Sequence, residues 1–132
     1  MQRKEWSAAI TRAATAAEIA ANIAVRHELQ EQRHLEAEFV DHLLKWANGL
    51  SGKLERILRP LHTTKAKQKT FKSLQNKAQK INDQRNRVVH SGNFMNQEEA
   101  EEIVSVAKEF IEKLVEPYRK GFKLWQNRKN EI

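Results

Sequence analysis

A chain of 132 residues without cysteine is sized for one domain with one core, and it can build neither a disulfide framework nor a thiolate metal site. Its formal charge of +7, from 24 Lys and Arg against 17 Asp and Glu, argues for a polyanionic partner. No apolar run is long enough to cross a membrane, and the alanine-rich start lacks a signal-peptide cleavage pattern, so no membrane partner and a cytoplasmic location are expected.

Only two prolines and four glycines punctuate a chain rich in Ala, Leu, Lys, Glu and Gln. The expected fold is therefore all-α, an up-and-down bundle of four main helices over residues 1–132, with no convincing strand. The first helix should begin near Arg3 or Lys4. Trp6, Ala9, Ile10, Ala13, Ala17, Ala20, Ile23 (or Ala24) and His27 keep helical spacing along it. Nine alanines between Ala8 and Ala24 would let another helix approach closely, within the bundle or across a dimer.

A second stripe, Leu35, Phe39, Leu43, Trp46, Leu50, Leu54, Ile57 and Leu61, keeps its phase through Gly49 and Gly52. It reads as one helix, kinked at most, that ends near Pro60. A single rod over both segments would be about 85 Å long, too long for a domain of this size, so a break is expected between Leu29 and Leu35. His27, His34 and His42 read as surface residues. Glu31 and His34 have the Glu-x-x-His spacing of di-iron bundles, but the second copy and the extra carboxylates are missing. No metal site and no cofactor are expected.

A third helix should run from about Lys67 to His90, carrying the apolar positions Phe71, Leu74, Ala78, Ile81 and Val88. After a loop over Ser91–Met95, Asn96 with Glu99 reads as a capping box, and the following glutamates suit a helix N-terminus. Ala100, Ile103, Val104, Ala107, Phe110, Ile111, Leu114, Val115 and Tyr118 form the cleanest amphipathic stripe. Pro117 should end that helix, with Phe122 and Trp125 on a short C-terminal extra helix. The aromatic side chains are expected in the core rather than as stacking platforms.

Charge is unevenly spread. His62 to Lys80 holds Lys65, Lys67, Lys69, Lys72, Lys77 and Lys80 and no acid, and Arg119 to Lys129 holds five cations and no acid. Taken alone, such runs are as well explained by a solvated helix face. The first run, however, leads into Arg85-Asn86-Arg87-Val88-Val89-His90-Ser91-Gly92. There the two valines can face a core, and Gly92 is placed to be the C′ residue, which leaves His90 in the last helical turn. The helix dipole favours a protonated imidazole at that end and the neighbouring arginines disfavour it. With no Gly-rich phosphate loop, no Cys nucleophile and no nucleophile elbow, the chemistry left is acid–base and electrostatic work by Arg and His.

This stretch resembles the signature of HEPN domains: an Arg, a polar residue, a short spacer, a His and then a loop. Arg85, Asn86 and His90 occupy the matching positions, with four residues between Arg and His. The segment AAEIAANIAVR similarly resembles the first-helix pattern of several HEPN families. These are small helical domains of prokaryotic toxin–antitoxin and phage-defence systems, many of them metal-independent ribonucleases. The resemblance implies an RNA substrate and a homodimer whose cleft joins two copies of the motif. It also implies an antitoxin or defence-system protein as a further partner. His90 and its mate would serve as base and acid, Arg85 would stabilise the phosphorane oxygens, and Asn86 would orient the scissile group. Arg87 and the Lys65–Lys80 run would hold the flanking backbone. Glu18 could orient Arg85 or His90, or simply face solvent, and Ser91 adjoins the motif in a supporting position. In one HEPN branch a Tyr two residues after the His is modified to silence the toxin. Gly92 stands there in this chain, so that control is not implied. Two other readings stay open: a non-catalytic RNA-binding or protein-interaction module on the same fold, and a purely structural helical protein, for which Arg85 and His90 are a surface arginine and a helix cap.

Overall fold

The structure, a computed structural model, describes residues 3–47, 49–62, 64–91 and 96–118, and for residues 3, 4, 90 and 91 it describes the backbone alone. Among the described residues all regular structure is helical, as expected. Helix α1 spans Arg3–Arg26 and continues through a π-helical turn, His27–Gln32. Helix α2 spans Ala37–Trp46. Helix α3, Leu50–Lys53, runs on through a π turn (Leu54–Leu58) and a 3-10 turn (Arg59–Leu61). Two long helices follow, α4 (Lys65–Ser91) and α5 (Gln97–Val115). No helix among the described residues is long and apolar enough to cross a membrane.

Three long helices carry the bundle. At one end, Ile10 of α1 clusters with Ala100 and Ile103 of α5, with Trp6 and Val88 packed against them. At the other end, Tyr118 beyond α5 donates a hydrogen bond to Glu28. So α1 and α5 run parallel and α4 runs antiparallel to both. The alanines make this approach possible. Ala14, Ala17, Ala21 and Ala24 are buried and small enough for α5 to lie close, and Phe110, Ile111 and Leu114 fill the space beside them. Burying a side chain the size of Phe110 completely is worth about 1.5–3 kcal/mol.

The break after the first helix falls where chain length demanded it. Arg33 closes the turn, and His34 takes a left-handed backbone (φ 58°). The N–H of Leu35 bonds back to the carbonyl of Leu29 at 2.9 Å, six residues earlier and one residue wider than the 6→1 bond of a Schellman stop, which suits the wider π turn. The fourth boundary also matches expectation: Asn96 Oδ1 accepts from the Glu99 N–H (2.9 Å), and the Glu99 carboxylate accepts from the Asn96 N–H (3.4 Å).

The single helix expected over Leu35–Leu61 does not form. It divides after Trp46, and Gly49 adopts φ 84°, a backbone that side-chain-bearing residues rarely adopt. The stripe keeps its phase in sequence but loses it in space. Leu50, Leu54, Ile57 and Leu58 reach the core, whereas Phe39 and Trp46 remain about half exposed. Those two aromatics therefore depart from the core expectation, and Trp46 instead has the Arg56 guanidinium over its ring at 5.5 Å. On α1, Ala24 and not Ile23 completes the inward face. The proposed C-terminal extra helix, with Phe122 and Trp125, lies outside the described residues, as does the basic stretch from Arg119 onward.

Candidate functional site

Helix α4 places the Arg–His stretch. Phe71, Leu74, Ala78 and Ile81 are buried at helical spacing, and this stripe fixes how α4 sits on the bundle. The next position on that stripe is Arg85, which lies past the end of the main core and is exposed. Asn86 and Arg87 are exposed too. Helical backbone continues through His90 and Ser91; the side chains of both, and Gly92, which was expected to end the helix, lie outside what the structure describes. In a regular helix, position 90 falls about 7.5 Å along the axis from position 85 and roughly 140° around it. The two motif positions of one chain thus occupy different sides of the helix. The valines between them divide: Val88 is half-buried on the Ile10 cluster, while Val89 is 53% exposed and does not face a core.

The basic residues separate into groups. Lys65, Lys69 and Lys72 lie along one exposed face of α4, within about 60° of the helical line that leads to position 90. None of them forms an ion pair with the described residues. Lys67 falls on another side of the helix and lines a cavity described below. Lys77 is half-buried and donates to Ser73 Oγ at 3.3 Å. Lys80 pairs with Glu102 of α5. Arg87, expected to hold RNA backbone, bridges to Glu99 at 3.3 Å and to Gln84 at 3.1 Å. Glu99 is the capping residue of α5, so Arg87 ties the end of α4 to the start of α5. The continuous basic face anticipated from Lys65 to Arg87 is reduced to its first half, because the six acids of α5 neutralise part of the rest.

Glu18 does not reach toward the motif. Its carboxylate meets Lys53 Nζ at 3.4 Å, and Lys53 is 4% exposed. An ammonium that far inside needs a counter-charge, and Glu18 on the neighbouring turn of α1 is the one supplied.

The most deeply organised polar group went unnoticed in the sequence. Glu28, in the π turn, is 2% exposed. Its Oε1 accepts from the Tyr118 hydroxyl at 3.0 Å, and His62 Nε2 lies 3.1 Å from the same oxygen, off the line of a good hydrogen bond. Arg33 Nε stands 3.5 Å from Oε2. His62 stacks on Phe71 with ring centres 4.8 Å apart, and the His27 ring leans on Tyr118 at 4.9 Å, half-buried rather than on the surface. Burial drives the His62 pKa below its ordinary 6.5, outweighing the pull of Glu28. Burial, then the Glu28 charge, pushes the Tyr118 phenol well above its ordinary 10. No residue pattern announces this cluster. Its members come from three separate segments, and the one available hint was a lone Tyr placed just after Pro117.

Among the described residues no three His, Cys, Asp or Glu side chains are grouped to hold a metal ion. Compared with known proteins, the chain matches no family model, no curated protein and no solved structure.

Proposed function

We propose that the protein is a metal-independent endoribonuclease whose active site pairs two copies of the α4 C-terminal end in a homodimer. The observation that carries this reading is the end of α4 itself: it runs past the main core with Arg85 and Asn86 exposed, and a solvent-facing Val89 adjoins them as an apolar contact for a second copy. The free face of Lys65, Lys69 and Lys72 supports it, since it offers phosphate contacts on the helical line that leads to position 90. RNA cleavage needs a base for the 2′-OH and an acid for the leaving 5′-oxygen. One chain supplies a single motif histidine, and its Arg and His positions lie on different sides of the helix. A twofold axis near Val89 would supply the second set.

In the proposed reaction, neutral His90 of one protomer takes the 2′-OH proton and the 2′-oxygen attacks the adjacent phosphorus. Arg85 balances charge on the phosphorane oxygens. The P–O5′ bond breaks as the second, protonated imidazole delivers a proton to the 5′-oxygen. The products are a 2′,3′-cyclic phosphate and a 5′-hydroxyl. In the cellular setting that the HEPN resemblance implies, the enzyme would act as a toxin or phage-defence nuclease under a directly binding partner protein, in the cytoplasm.

The test is incubation of the purified protein with total RNA in excess EDTA, beside Arg85→Ala and His90→Ala variants. Wild type should cleave and leave 5′-hydroxyl ends, and each variant should lose cleavage while keeping its helicity. Ends bearing 5′-phosphate, or activity that disappears in EDTA and returns with magnesium, would overturn the mechanism. RNA binding without turnover by wild type would point to the non-catalytic binding module instead.

A further inference from the structure

At the far end of α4 from Arg85, four segments converge on a partly enclosed cavity of about 120 Å³. The π turn after α1 contributes Glu28, the connection into α4 contributes His62, and α4 itself contributes Lys67 and Phe71. The end of α5 adds Lys113 and Tyr118, with Leu74, Leu114 and Pro117 completing an apolar wall. A cavity of about 150 Å³ holds benzene, so this smaller, partly open one takes in no more than one six-membered ring, with the rest of a ligand outside.

The polar groups specify what that ring can be. Glu28 Oε1 already accepts from Tyr118, with His62 beside it, but Oε2 has only Arg33 at 3.5 Å, beyond a normal hydrogen bond. A buried carboxylate with one under-used oxygen is an acceptor waiting for a donor. Toward the cavity the remaining charge is positive. Lys67 has no ion pair among the described residues, and Lys113 pairs with Glu109 on the exposed side of α5 at 3.1 Å. The combination is a buried acceptor, an apolar slot one ring wide, and two lysines lining the same cavity.

We propose that this cavity binds a nucleoside monophosphate whose base carries a ring N–H, guanine or uracil, with that N–H on Glu28, the ring against Phe71, Leu74 and Leu114, and the phosphate on Lys67 and Lys113. Adenine and cytosine turn a bare ring nitrogen to the same place, and its lone pair would face the carboxylate. The inference rests on no part of the ribonuclease reading, because none of these residues belongs to the Arg85–His90 stretch.

Isothermal titration of the protein at neutral pH with GMP, UMP, AMP, CMP and inorganic phosphate tests it. GMP or UMP should bind at least tenfold more tightly than AMP and CMP. A Lys67→Ala/Lys113→Ala double variant, changed at exposed ends and checked for an unaltered melting temperature, should lose at least tenfold in that affinity. Glu28→Gln, whose amide can present either a donor or an acceptor, should narrow the preference among bases. Arg85→Ala should bind as wild type does. No binding of any nucleotide at millimolar concentration overturns the proposal. So does equal binding of all four nucleotides and phosphate, or binding that survives the lysine double variant or vanishes with Arg85→Ala.

Discussion

Replacing Tyr118 with Phe removes one oxygen and leaves the ring on His27, so it isolates the hydrogen bond to Glu28. That bond is 3.0 Å long and ends on a carboxylate that is 2% exposed. Hydrogen bonds to charged groups contribute about 1.5–3 kcal/mol, and water can hardly enter to replace this one. With an unfolding entropy of about 2.1 cal/mol/K per residue, a chain of this length loses roughly 3–4 °C per kcal/mol, so Tyr118→Phe should melt about 5–10 °C lower. Thermal unfolding followed by circular dichroism at neutral pH measures it. Tyr118 is the single tyrosine, so ultraviolet absorbance adds a clean second reading. Its phenol should stay protonated in the folded protein as pH rises past the ordinary 10 and should ionise near 10 in denaturant. Because the folded value is the higher one, the stability this group contributes is full below pH 10 and is lost as alkali titrates it. A variant that melts within about 1 °C of wild type, or a native phenol titrating at 10, would refute the buried Glu28–Tyr118 contact.

The lowered pKa of His62 has the opposite linkage. The unfolded chain binds the proton more readily, so this group's contribution is present above about pH 6.5 and falls away as acid charges the buried ring; His62→Asn should lose that part of the pH–stability profile measured by urea unfolding. Glu18→Ala strips Lys53 of its counter-charge and should cost about 1–3 kcal/mol in the same assay, yet leave RNA cleavage intact, whereas loss of cleavage in a stable protein would return Glu18 to the active site. At Gly52 an added Cβ meets only backbone of Ala47 at 3.5 Å, ordinary contact, so Gly52→Ala should raise stability by roughly 0.5–1 kcal/mol through the helix-propensity gain; a drop in melting temperature would contradict the packing of α3. Light scattering at tens of micromolar should find a dimer that Val89→Glu dissociates, and a fully active monomer would exclude the two-copy site.

The parts of the fold that were legible in the sequence depend on neighbours along the chain. Capping by Asn96 and Glu99 joins residues three apart, and the stripe of α5 repeats within one helix. The bound on helix length, which forced a break before Leu35, needs only the chain and a compact size.

What the sequence left undecided depends on which faces meet. Phe39 and Leu54 sit on the same stripe, and only the turn at Gly49 sends one to solvent and the other to the core. Arg85 and Arg87 are two residues apart in the same motif, yet Arg87 is held by Glu99 because α5 passes beside it antiparallel, and Arg85 is exposed between the main core, which ends at Ile81 on α4, and the small cluster that Val88 joins. Sequence alone determined the helical character of the described residues, most of their helix ends and the position of the Arg–His stretch along the chain, since periodicity and capping act within a few residues. Tertiary structure alone decided that Glu28, His62 and Tyr118, up to 90 residues apart, share one buried site, because burial and charge pairing belong to helix faces that only packing brings together.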